Sequence, residues 1–228
     1  MTVDIKHLAI QTIKTEAAAI EKLASFIDDD FERCVTMLFN AKGRLIVTGI
    51  GKSAIIANKI VATLNSTGTP AIFMHAADAI HGDLGIIQPD DVVICLSKSG
   101  TTPEIKVLVP LIKSLGNKIV AIVSSTDSYL AQKADFVLKA TVEMEACPNN
   151  LAPTSSTTAQ LVIGDALAIC LLKLRGFTPA DFARVHPGGA VGKKLYMRVD
   201  DIFNPENPPV VSEDERIRPI ILEMTSKR

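Results

Sequence analysis

From residue 44 onward, short runs of β-branched and other apolar residues alternate with segments whose apolar positions recur every three or four residues. The runs read RLIVTG, PAIFMH, DVVICLS, KIVAIVSS and FVLKATV and begin near residues 44, 71, 91, 118 and 136. They predict five strands. Each gap leaves room for a crossover helix, which parallel pairing requires. Strands that are apolar at every position must be covered on both faces. The expected fold is an α/β, three-layer α/β/α sandwich around a doubly wound parallel sheet, with ligands at the carboxyl ends of the strands.

Ahead of the sheet, Leu8, Ile13, Ile20, Leu23 and Ile27, then Phe31, Val35, Leu38 and Phe39, mark two amphipathic helices over residues 4–40. After it, Ala159 to Leu174 is a further apolar helix that Gly176 closes. Ser155, Ser156, Thr157 and Thr158 start that helix; one of them is expected to cap it, and their functional reading is contact with the hydroxyls of a sugar. Beyond Leu195 a Pro/Asn/Glu-rich linker leads to one short amphipathic helix without a core of its own. The chain therefore divides into N-terminal helices (1–40), an α/β domain (41–197) and a tail (198–228).

Charge narrows the function. Among 228 residues, 24 Lys+Arg stand against 25 Asp+Glu, a net charge of −1, which disfavours a basic nucleic-acid binder. Asp4 and Lys6 interrupt the start and no apolar leader follows, so a cytoplasmic protein is expected. The longest uncharged stretch, Ala146 to Gly164, carries Pro148, Pro153 and several Ser/Thr, so no membrane span is expected there. Cys34, Cys95, Cys147 and Cys170 stand far apart, which predicts free, mostly buried thiols.

Two glycine-rich loops carry the candidate chemistry. The first strand ends in TGIGKSA, where Gly51, Lys52 and Ser53 open a helix whose free N–H groups favour an anion. A P-loop would need glycine at position 46, which is Ile46, and a dinucleotide fingerprint would need it at 54, which is Ala54. The third strand ends in SKSGTTPE, where Ser97, Ser99, Thr101 and Thr102 surround Gly100 ahead of a helix starting near Pro103. A simple helix cap uses one or two hydroxyls, and four suggest a phosphate cradle. His75 and His81, with Asp78 and Asp83 nearby, lack a matched third ligand, so no metal is expected and His81 is read as a substrate-loop residue.

The motifs GIGKS, STGTP, HGDLG, SKSGTTPEI, EACPNNLAPTSSTTA, GDALA and HPGGAVGKKL follow one another in order. On these residues the chain resembles the arabinose 5-phosphate isomerases, sugar isomerase (SIS) domain proteins with a flavodoxin-like sheet, over roughly residues 10–200. From Val199 it resembles only the opening of a CBS module, the form of the family lacking the CBS pair.

The resemblance implies interconversion of ribulose 5-phosphate and arabinose 5-phosphate through a cis-enediol, the first step toward the Kdo sugar of lipopolysaccharide or capsule, with no cofactor. By motif, the catalytic candidates are Lys52, Glu104, Glu145 and His186. Lys52 would stabilise developing negative charge. Glu145, after the fifth strand in a loop stiffened by Pro148 and Pro153, is favoured as the base, with Glu104 as runner-up. His186 would open the ring or shuttle protons, delivered from a neighbouring subunit of a homotetramer with intersubunit active sites. CMP-Kdo is an expected feedback inhibitor. The alternatives are a non-catalytic phosphosugar-sensing module and an isomerase for another phosphosugar.

Overall fold

The computed structural model describes residues 3–189, 193, 198 and 206–227. They form two compact units, Met1–Thr178 and Pro179–Arg228. The first opens with α1 (Ile5–Leu23), a 3-10 turn and α2 (Asp29–Phe39). It continues through β1 (Leu45–Gly49), α3 (Lys52–Ser66), β2 (Ala71–His75), α4 (Ala76–Ala79), β3 (Val92–Ser97), α5 (Pro103–Ser114), β4 (Lys118–Val123), α6 (Tyr129–Lys133), β5 (Phe136–Lys139) and α7 (Ser155–Leu174). The five strands are all parallel in the order β2-β1-β3-β4-β5. The strand order therefore reverses between β1 and β3, where the pairing Gly49↔Leu96 brings the two glycine loops side by side.

Successive strand residues point to opposite faces, and both sets are apolar. Val47, Ile94, Leu96, Val120, Ile122 and Leu138 face the side covered by α2, α3 and α7. Ile46, Met74, Val93, Cys95, Ile119 and Ala121 face the side covered by α4, α5 and α6. This is the expected three-layer sandwich. By length and composition α7 could cross a bilayer, but Ala159, Ile163, Leu167, Ala168 and Leu171 are buried in the core of this unit. Glycine lets α7 approach α3 closely: a methyl group at Gly164 would collide with the Ile60 side chain. At the C-terminal end of α7, Gly176 takes φ +63° and Phe177 N–H donates to Leu172 O at 3.2 Å, the predicted glycine stop.

The amino ends of the strands are tied by a separate knot. Buried Asp91 accepts from Arg44 N–H and Nη2, both at 2.7 Å, and from Gln88 N–H at 2.9 Å. Asn117 Nδ2 donates to the carbonyls of Gln88 and Asp91, both at 2.8 Å. The cysteines are free, yet only Cys34 and Cys95 are fully buried, and burial pushes both thiols up to about 12. Cys147 and Cys170 are partly exposed, so the expected burial holds for half of them.

In the second unit, α8 (Pro179–Val185) leads into the HPGGAVGKKL segment, of which residues 190–192, 194 and 195 lie outside the described residues. The predicted C-terminal amphipathic helix spans Ile217–Ser226. Glu223 accepts from Val210 N–H at 3.2 Å and pairs with Lys227 at 2.6 Å.

Candidate active site

Of the helices that begin at the carboxyl edge of the sheet, α3, α5 and α7 have first turns that are satisfied differently. A helix N-terminus leaves free N–H groups and a partial positive charge. At α3 the preceding residue is Gly51, at φ +58°, which has no side chain to cap it. At α5 the N-cap is Thr102, whose hydroxyl makes no capping bond and is buried without a partner. The loop before it is held by its own hydroxyls: Ser97 Oγ accepts from Gly100 N–H at 3.0 Å and Ser99 Oγ from Thr101 N–H at 3.4 Å. Gly100 sits at φ +64°, and a Cβ there would collide with Ser128.

The third helix, α7, is filled by the protein itself. Glu145 Oε2 accepts from Thr154 N–H at 2.8 Å, Ser156 N–H at 3.1 Å and Thr154 Oγ1 at 3.2 Å. Its Oε1 accepts from Ser156 Oγ and Lys98 Nζ, both at 2.5 Å. This corrects the expectation that a hydroxyl of Ser155–Thr158 caps α7. Ser155 Oγ is buried without a partner, and Thr157 and Thr158 donate back to Thr154 O. Burial raises the Glu145 pKa, but Lys98, Ser156 and the two backbone N–H groups outweigh it and hold the carboxyl at about 2. Five donors engage a side chain with no exposed surface. That is a poor arrangement for a base that must turn a free lone pair to substrate, so the geometry argues against the favoured assignment of Glu145 as base.

Between these helix ends lies a cavity of about 310 Å³. Lys52 and Ser53 come from α3, Ser97, Lys98, Ser99 and Thr102 from the β3–α5 loop, and Pro153, Ser156 and Thr157 from the start of α7, with Ile50 completing the lining. Larger clefts of about 340 Å³ beside α1 and about 430 Å³ at the amino edge lack this convergence of hydroxyls, cations and open helix termini. Chemistry rather than size selects the smaller one.

Of the predicted site residues, Lys52, Ser53, Ser97, Ser99 and Thr102 line this cavity together, while Gly51, Gly100 and Thr101 shape its two loops. Glu104 lies in the first turn of α5, half-buried, outside the lining and without an ion pair among the described residues. Glu145 stands behind the wall and reaches the cavity through Lys98 and Ser156. His81 is exposed beyond α4 and outside the lining. His75 Nδ1 is 3.6 Å from Asp78, and among the described residues no three metal-ligating side chains gather. His186 belongs to the second unit, where its ring stacks on Phe182 at 3.9 Å with Nδ1 2.9 Å from Phe182 O.

Ser156 and Thr157, read as capping or sugar-contact hydroxyls, line the cavity, while sequence reasoning missed Ile50, Lys98 and Pro153 there. The lysine stands in the quoted SKSG motif, where the density of hydroxyls drew the reading instead.

Comparison with known proteins accords with this geometry. The SIS domain family matches residues 37–170. Arabinose 5-phosphate isomerase KdsD of Pseudomonas aeruginosa is 49% identical over 225 residues, 98% of this chain and 69% of that protein. The chain belongs to the arabinose 5-phosphate isomerase family of SIS-domain proteins. Another member, arabinose 5-phosphate isomerase KpsF of Escherichia coli O6:H1, is 46% identical over 95% of this chain and 66% of its own length. The chain thus spans about two thirds of these relatives. A solved E. coli CFT073 protein in complex with arabinose 5-phosphate superposes with TM-score 0.79 and 40% identity, covering 82% of this chain and 100% of that one.

Proposed function

We propose that this protein interconverts D-arabinose 5-phosphate and D-ribulose 5-phosphate, the first step of Kdo biosynthesis. The observation that carries the reading is the cavity at the β1/β3 switch point, where two uncapped helix N-termini, Lys52 and the Ser97–Thr102 hydroxyls offer an anion site. A sugar phosphate placed with its phosphate there turns its C1–C2 end toward the rest of the cavity.

Isomerisation removes the C2 proton of the aldose while the carbonyl oxygen gains one. The resulting cis-enediol then loses its O2 proton as C1 is protonated, giving the ketose. Glu104 serves as the base in this reading, because its carboxylate keeps its lone pairs while that of Glu145 is committed to five donors. Lys52 supports the negative charge of the enediolate or phosphate. His186 carries the oxygen protons or opens the ring, supplied by a neighbouring subunit of a homotetramer. Exposed Ile5, Ile10 and Ile13 on α1 give such an assembly an apolar surface. Mixing inactive Glu104→Gln and His186→Ala chains then restores part of the activity, and no restoration after subunit exchange removes the intersubunit assignment. CMP-Kdo acts as a competitive inhibitor, an assignment that lack of inhibition at millimolar concentration would sink.

The primary test is NMR in D2O with arabinose 5-phosphate. Wild type forms ribulose 5-phosphate and places deuterium at C2 of the recovered aldose. Glu104→Gln binds the sugar and loses the exchange. Binding without exchange or turnover in wild type, repeated with other phosphosugars, leaves a sensing module as the better account.

A further inference from the structure

We propose that Lys98 is a catalytic electrophile of this site, with Glu145 as the residue that positions it. The inference rests on the isomerase reading and adds a cation to it. Lys98 sits between Ser97 and Ser99 and lines the same cavity as Lys52 and Thr102. Its Nζ lies 2.5 Å from Glu145 Oε1. The carboxylate is wholly buried, whereas 46% of the lysine side chain remains exposed. The pair therefore presents an ammonium to the cavity from an anchored base.

An ammonium has three N–H donors. Glu145 takes one, which leaves two for oxygen atoms in the cavity. The carboxylate also offsets the lysine charge, so Lys98 adds little net attraction for a phosphate dianion, which the open ends of α3 and α5 and Lys52 already serve. A charge-compensated donor fixed in place suits an oxygen that becomes negative only during reaction, here the sugar oxygen at C1 or C2 as the enediol forms. Glu145 holds this donor by the bonds that fill the first turn of α7. One carboxylate thus fixes the cation and, through Ser156, the α7 wall of the cavity in a single geometry.

The test is a double-mutant cycle read by steady-state kinetics and C2 deuterium exchange on the full chain. Lys98→Met is expected to lower kcat by about 10²-fold or more while KM stays within about threefold, the pattern for a donor used in the transition state. Lys98→Arg recovers part of that loss. Glu145→Gln lowers kcat comparably and retains slow C2 exchange. The double variant falls no further than the worse single one, because the two side chains act as a unit. Wild-type kcat in Lys98→Met overturns the proposal, as does a raised KM at unchanged kcat, which would make Lys98 a phosphate ligand. Abolished exchange in Glu145→Gln beside near-normal Lys98→Met would make Glu145 the base. Should Glu145→Gln fail to fold, the half-exposed Lys98 variants decide alone. Absence of exchange and turnover in wild type with every phosphosugar tried marks failure of the isomerase reading itself, and the proposal falls with it.

Discussion

Glu145 shows how far a single residue's job depends on its surroundings. A free glutamate titrates near 4.5, and in the fold this one titrates at about 2. A depressed folded-state pKa stabilises the protein above the unfolded value, and that contribution is lost as pH falls through the folded one. The difference corresponds to ~3 kcal/mol as an upper figure. Urea unfolding should therefore find Glu145→Gln less stable than wild type by up to about 3 kcal/mol at pH 7, with the gap closing from pH 5 toward pH 2. A gap independent of pH over that window would contradict the ionised carboxylate described above. The sequence marks Glu145 as chemically important, since it follows the last strand at the ligand edge. Its donors, however, come from residues 98, 154 and 156, and burial by distant partners leaves no periodic trace. Lys98 stands in a motif the sequence shows, but only the fold brings it to residue 145.

Elements were far more legible than contacts. The strands read correctly from Leu45 to Lys139 because burial on both faces makes most of their positions apolar. The last core helix begins at Ser155, where the run of hydroxyls placed its start, but its cap was not legible, because a carboxylate ten residues upstream fills the first turn in place of those hydroxyls. Close packing of α3 on α7 was invisible too, since Gly164 in a helix reads as a weak point rather than a contact. Alanine there gains ~1 kcal/mol of helix propensity, yet the collision with Ile60 costs about 1–3 kcal/mol. Gly164→Ala is thus expected to destabilise slightly, and Gly164→Val clearly. Gly164→Ala combined with Ile60→Ala, which removes the γ and δ carbons in the way, should be less destabilised than the sum of the two single changes, a non-additive result that denaturant midpoints would reveal.

At the scale of the molecule, the two edges of the sheet divide the labour. Chemistry collects at the carboxyl edge, while the Arg44–Asp91–Asn117 knot closes the amino edge. Removing buried Asp91 leaves two backbone N–H groups and the part-exposed Arg44 without their acceptor, which costs ~1–3 kcal/mol. Asp91→Ala should therefore lose about that much stability to urea with kcat and KM unchanged, and a changed KM would deny the separation. Open first turns at α3 and α5 have a further consequence, for engineering. Filling them from within, for example by Thr102→Asp, should stabilise the empty protein by about 0.5–2 kcal/mol while occupying the place of the substrate's phosphate. Inorganic phosphate should raise the melting temperature of wild type by mass action and leave that variant unmoved. A search that selects sequences for thermal resistance alone would drift toward such self-plugged forms, and the hardiest descendants of this chain would be inert.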